Sequence, residues 1–345
     1  MQHTRAGGIP QDTSFHHGPP SRVNRRARQL AWLAIFCGAL AGNAVADNGW
    51  EGRSLTFTWE NDAVAGSDRH YTQGARIAYS SRDEGLPRWL DRLTGALPGL
   101  GLDVKARKWS VALGQEIYTP ENLRASGLLV HDQPYAGWLY GSFGLQRRGP
   151  GPGARPVMEN VRLDLGVIGP ESLAEDTQKS WHGLAPQGWR HQLQTEPGFV
   201  LRYERRHLFA ARTADGDWGA DFIPGASASA GNVSDHIGLG MLFRFGFRVP
   251  NEFETPRERT PYRFGAYLFT GVEGRYVARN IFLDGNTFRE SHHLGHEPFV
   301  AEGIIGLTVV LKRVELTTAF TYRTREFERQ RTTDGFGAAV ARVKF

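Results

Sequence analysis

The chain has 345 residues, a formal net charge of +5, one Cys, 42 Gly, 18 Pro and a mean hydropathy of -0.42. That hydropathy excludes a polytopic helical membrane protein, which needs repeated apolar runs of about 20 residues. Length alone allows one or two domains.

The only long apolar run, residues 30–41, follows Arg22, Arg25, Arg26 and Arg28 and leads to Ala44-Val45-Ala46. A basic region, a short apolar core and a small-x-small exit site are the parts of a secretory signal peptide. Cleavage is expected after Ala46, giving a leader over 1–46 and one domain over 47–345 that starts at Asp47. The run is too short for a transmembrane anchor, and residues 1–21 read as an unstructured extension or an over-called start site. Cys37 belongs to the leader, so the mature chain is expected to hold no thiol. Phe36 stands before it where a lipoprotein signal needs a small residue. The leader also carries five Arg and one Asp, which leaves residues 47–345 at +1. Charge therefore gives no support to nucleic-acid binding.

From residue 47 onward, period-2 alternation replaces any sustained helical period. Ile237, Leu239, Met241, Phe243, Phe245 and Phe247 alternate with Gly238, Gly240, Leu242, Arg244 and Gly246; Val314–Tyr322 repeats the pattern. One face is apolar with aromatics near strand ends, and the other is rich in Gly, Arg and Glu. This describes an all-β fold, a transmembrane antiparallel β-barrel with lipid outside and a polar interior. The barrel must close because no edge can face lipid unpaired. Twelve strands are expected near 54–62, 71–80, 108–117, 136–147, 159–167, 197–206, 218–230, 235–247, 261–275, 298–311, 313–324 and 336–345. The last ends on Phe345, a terminal aromatic resembling the recognition signal of outer-membrane barrels. The chain is thus placed in the bacterial outer membrane with both termini periplasmic. The 81–107 connection is long for a periplasmic turn, and a plug or a short helix around residues 86–97 is the expectation.

Three outward loops stand out. The first follows Trp59-Glu60-Asn61-Asp62 and returns through Arg69-His70-Tyr71-Thr72. The second carries Tyr118-Thr119-Pro120 and Asp132-Gln133-Pro134-Tyr135. The third, 168–196, holds a stretch of helical composition that Glu171 or Ser172 is placed to cap. On that helix Gln178 and His182 stand at i and i+4, on one face. Alternation assigns Glu60, Asp62, Thr72 and Arg76 to the polar face of the first two strands. Carboxylate, amide and hydroxyl oxygens at a strand rim suit Ca²⁺, and a neutral His suits a general base acting on water. Together they would form a metal-assisted esterase. Plain alternatives are lumen charge pairing around Arg76, a solvated loop His, and a surface loop for His292, His293 and His296. The sequon at Asn232 carries no meaning in a bacterial outer membrane.

Five blocks in order resemble the lipid A 3′-O-deacylase family, LpxR. They are Glu60-Asn61-Asp62 with Tyr71-Thr72-x-Gly74; Gly114-Gln115-x-Ile117-Tyr118-Thr119-Pro120; Asp132-x-Pro134-Tyr135-Ala136-Gly137; Gly166-Val167-Ile168-Gly169-Pro170; and Gln178-x-x-x-His182. The resemblance implies a twelve-stranded barrel that hydrolyses the 3′ acyloxyacyl group of lipid A with Ca²⁺, at the outer rim between the wall and a loop helix. His182 would activate water with Gln178 beside it, and Asn61, Asp62 and Thr72 would hold or face the Ca²⁺ and the scissile ester. Lipopolysaccharide would be the substrate, outer-membrane lipid the surroundings, and a monomer the working unit. Two features depart from the family: a loop-two Lys has no match beyond nearby Arg124, and Gln187-Gly188 stands where an acidic residue is expected. Other classes consistent with the barrel are an outer-membrane phospholipase, which needs a Ser–His pair on the wall, and a non-catalytic pore or adhesin. For a pore, Arg244 and Arg263 would be candidate anion selectors.

Overall fold

The computed structural model describes residues 52–65, 69–96, 100–181, 186–253 and 263–345. The expected leader, its cleavage site, Cys37 and His182 lie outside the described residues.

Strands form where the alternation is cleanest. They are β1 (Ser54–Asn61), β2 (His70–Ser80), β3 (Ala106–Thr119), β4 (Ala136–Pro150), β5 (Pro156–Ile168) and β6 (Glu196–His207, resumed at Phe209–Arg212). The rest are β7 (Trp218–Gly231), β8 (Ser234–Phe247), β9 (Phe264–Asn280), β10 (Phe299–Leu311), β11 (Val314–Arg323) and β12 (Asp334–Lys344). Each wall strand pairs antiparallel with its sequence neighbours, and β1 pairs with β12, so the sheet closes. The break in β6 has a local cause. Arg206 pairs Gly225 and Phe209 pairs Phe222 in one continuous register, which sets Pro224 opposite the break. Proline has no N–H to give the ladder, while on the other side of the strand Leu208 continues the β5 register by donating to the Pro156 carbonyl at 3.0 Å. The two pieces are one wall strand, and the barrel has twelve.

Side chains sort as the alternation requires. Ile237, Leu239, Met241, Phe243 and Phe245 are exposed on the outside, a belt suited to lipid and to little else at this extent. Inward-facing charges are paired in the lumen. Glu302 takes Arg275 and Arg323, Asp164 takes Arg162 and Arg202, and Asp221 takes Arg244 at 2.7 Å. Buried charges persist when matched this way.

One end of the barrel carries both described termini, where the Phe345 amide bonds to the Arg53 carbonyl. At that end the segment after β8 tucks inward: Phe253 is buried with Met158, Leu208 and Ile223, and the Glu252 carbonyl accepts from Arg148. At the opposite end, the rim, a single helical turn α3 (Ile281–Asp284) lies across the mouth. Its Phe282 stacks on Tyr118 at 3.9 Å within a buried cluster that includes Trp138, Tyr140, Val200 and Val233.

The long connection after β2 forms helix α1 (Arg88–Ala96), meeting the helical alternative for that segment. It lies against the outside of the wall: Asp91 pairs with Arg107, and the Gly85 carbonyl accepts from the Trp109 ring. Both partners share the lipid-side face with exposed Val111 and Leu113.

Candidate functional site

At the rim, β1 to β4 and the third outward loop enclose a buried polar cluster. Asn61 ends β1 and donates from Nδ2 to the Thr72 carbonyl at 3.2 Å, while its Oδ1 accepts from the Ala63 amide at 3.0 Å. Asp62 opens a short 3-10 turn, and its carboxylate accepts from the Arg69 amide across the loop. Thr72 meets Thr119 with 2.6 Å between hydroxyl oxygens. All four side chains are buried.

Alternation assigned Thr72 to the lumen face, and the structure corrects this. Tyr71 pairs Tyr118 and Gln73 pairs Ile117, leaving Thr72 as the extra residue of a β-bulge. A bulge inserts one residue and re-aims the side chains around it. Tyr71 stays inside, bonded to Glu60. Thr72 joins Thr119, which follows Ile117 on the lipid-side face by alternation. Glu60 and Arg76 remain in the lumen, as expected.

The third loop covers this face. Helix α2 (Ala174–Trp181) packs through Ala174 against Ile117, Tyr135 and Trp189. A 3-10 turn over Pro170–Ser172 precedes it, and Leu173 takes a left-handed conformation at φ 60°. Neither expected cap serves, since Ser172 Oγ donates to the Gly169 carbonyl and Glu171 accepts from Thr195. Ser172 is also the acceptor for Gln115 Nε2 through its carbonyl, at 2.7 Å. Gly137 allows the contact, because a Cβ there would collide with Ser172 and Ala174.

Gln178 lies one turn beyond Ala174, on the same helical face, and is fully buried. Trp189 donates to its Oε1 at 2.8 Å, while its Nε2 has no hydrogen-bond partner among the described residues. Buried donors are nearly always satisfied, so this amide is a group available to a ligand. Asn61 and Thr72 are thus tied together at the outer end of β1 and β2, with Asp62 next in the chain, and Gln178 lies on α2, which packs on the neighbouring β3 and β4. No relation of His182 to them is described.

An oxygen-only set of one carboxylate, one amide oxygen and hydroxyls has the donor chemistry of a hard cation such as Ca²⁺. Carboxylate and amide oxygens also keep lone pairs beyond the peptide N–H bonds they accept. The residues fit that group.

Two features were not singled out from the sequence. Trp189 holds Gln178, and no local pattern marks it. His70 bridges Asp334 at 2.7 Å and Asp132 at 3.3 Å, clasping three loops together. Its signal lay in the blocks themselves, since His70 precedes Tyr71-Thr72 and Asp132 opens the third block. Asp132 further accepts from the amides of Glu121 and Gln133. Burial pushes its carboxyl up, but the bonds from His70 and these two amides hold it below the ordinary carboxylate value.

The other candidates resolve differently. His296 bonds Asp284 and His293 bonds the Ser291 carbonyl, and no metal-holding group of His, Cys, Asp and Glu occurs among the described residues. A Ser–His pair of the kind a phospholipase needs is present on the wall: Ser229 Oγ lies 2.8 Å from His236 Nδ1. It faces the lumen, and the hydroxyl also donates to the Ser234 carbonyl. Arg244 is held by Asp221 and the Pro250 carbonyl.

A family model described as outer membrane protein LpxR matches residues 30–345. No curated protein matches the chain. Among solved structures, LpxR from Salmonella typhimurium is similar with a TM-score of 0.66 and 21% identity, covering 85% of this chain and 100% of that one. The β domain of the Bordetella autotransporter BrkA gives a TM-score of 0.44 at 11% identity over 86% of this chain and 100% of its own.

Proposed function

This chain belongs to the LpxR family of outer-membrane proteins, and from that premise we propose that it is a Ca²⁺-dependent lipid A 3′-O-deacylase. The observation that carries the reading is the lipid-side setting of Thr72, bonded to Thr119 outside the lumen on the wall whose β3 and β4 are covered by α2 with its buried Gln178. A substrate whose acyl chains lie in the membrane reaches such a site sideways, with its ester at the rim. On this reading both termini are periplasmic, the rim is extracellular, and the barrel works as a monomer on lipopolysaccharide.

The reaction is ester hydrolysis. His182 takes a proton from water, the resulting hydroxide adds to the ester carbonyl carbon, and the bond to the 3′ oxygen breaks. The proton returns from His182 to that oxygen, giving a sugar hydroxyl and a free acyloxyacyl acid. Gln178 donates its buried amide to the water or to the carbonyl oxygen as negative charge develops there. Asn61, Asp62 and Thr72 would hold the metal. Bound there, Ca²⁺ supplies positive charge that favours the oxyanion.

The test is acyl release by the purified barrel in detergent with added Ca²⁺, after chelation, and after Ca²⁺ is restored. Release should stop on chelation and recover with Ca²⁺. Undiminished release in chelator would refute the metal-dependent reading.

A further inference from the structure

The outside of the barrel at the terminus-bearing end carries a row of charges where lipid-facing strands ordinarily carry none. Arg107, Arg147, Glu159 and Arg205 are direct cross-strand partners on β3, β4, β5 and β6. Alternation sets all four on the lipid-side face, where Arg147 and Glu159 are buried, Arg205 is mostly covered and Arg107 is the most exposed; two residues deeper come Trp109, Leu145, Val161 and Tyr203, then exposed Val111, Leu163 and Leu201. The order from hydrocarbon to aromatic to arginine is that of a membrane interface. Tyr79, Trp109 and Phe345 lie together at the same level.

Helix α1 lies at this level. Leu90 and Thr94, at i and i+4, are buried, whereas Arg88 and Arg92 are exposed. Trp89 is 61% exposed and Leu100, just beyond the helix, 62%. An amphipathic helix with exposed Trp and Arg next to a hydrocarbon belt is built to lie in a headgroup layer. The charge there is not balanced. Glu159 is shared by Arg147 and Arg205, Asp91 answers Arg107, and among the described residues neither Arg88 nor Arg92 has a carboxylate partner. Arg107 keeps about a third of its side chain exposed (35%).

We propose that α1 and the adjoining end of the arginine row bind an anionic glycerophospholipid. The exposed guanidinium groups take the phosphodiester, as arginine forks do, and Trp89 sits at the interface. The acyl chains lie along Val111 and Leu113. The site rests on the orientation proposed above, under which this end faces the periplasmic leaflet, where such phospholipids reside. It lies at the end of the barrel away from the Asn61–Gln178 region, so its failure leaves the deacylase reading intact.

The experiment is native mass spectrometry of the full barrel released from micelles doped with equal phosphatidylglycerol and phosphatidylethanolamine. Wild type should retain the anionic lipid at least tenfold over the zwitterionic one. Arg88→Gln with Arg92→Gln, which spares the Asp91–Arg107 pair, should reduce that preference several-fold, and adding Arg107→Gln should abolish it. Heat-modifiable mobility on gels verifies that each variant is a folded barrel. Equal retention of both lipids by wild type would overturn the proposal and leave this face to a periplasmic protein. So would a full preference in the folded triple variant.

Discussion

At Gly137 the α2 loop comes so close to the wall that a Cβ there would collide with Ser172 and Ala174. Gly137→Val puts branched carbons where Ser172 and Ala174 sit, so the loop must lift. Deacylation should fall at least tenfold while heat-modifiable mobility stays normal, because the wall strands keep their ladder. Trp189→Phe is gentler. It removes one donor to the buried Gln178 carbonyl, a loss of about 1–2 kcal/mol. The cost should appear as faster proteolysis near residues 186–191, with barrel unfolding unchanged. Unaltered proteolysis would show that the bond does not anchor the loop.

Among the elements, the loops at the rim are tied by the His70 clasp. Asp132 has a folded-state pKa below its unfolded value, so its stabilisation is complete above the ordinary carboxylate pKa of about 4. It is lost as pH falls through the depressed value. Cleavage of loop 120–135 by an acid protease should therefore rise steeply on the acid side of pH 4. Asp132→Asn should remove that step and leave the loop equally open on both sides; identical profiles for the two proteins would contradict the clasp. The strands themselves were legible because a closed wall in lipid imposes strict alternation, and most ends fall within three residues of expectation. The bulge at Thr72 was not. Nothing in Tyr71-Thr72-Gln73 announces an extra residue, and one insertion switches the parity of the strand from that point on. The break of β6 had a visible cause in Pro224, but only the pairing register shows which residues it faces. The 3-10 turn before α2 escaped for a similar reason, since Glu171 and Ser172 have capping chemistry yet find nearer partners.

At the largest scale, the described residues form a barrel whose interior carries side chains from both ends. Paired charges occupy the lumen, α3 and its buried cluster cross the rim, and the 248–253 segment enters from the other end. Planar-bilayer recording should accordingly show no sustained conductance, whereas steady current would revive the pore reading. On the reading proposed above the functional surface lies on the outside of the wall, which hydropathy does not indicate because both faces of a rim strand read as polar. The most direct test of that lipid-side site is mass spectrometry of lipid A from cells expressing the chain, Asp62→Asn or His182→Ala. Wild type should yield lipid A lacking its 3′ acyloxyacyl unit, and both variants, present as folded barrels, should leave lipid A whole. Intact lipid A with wild type, or undiminished deacylation in either folded variant, would contradict it.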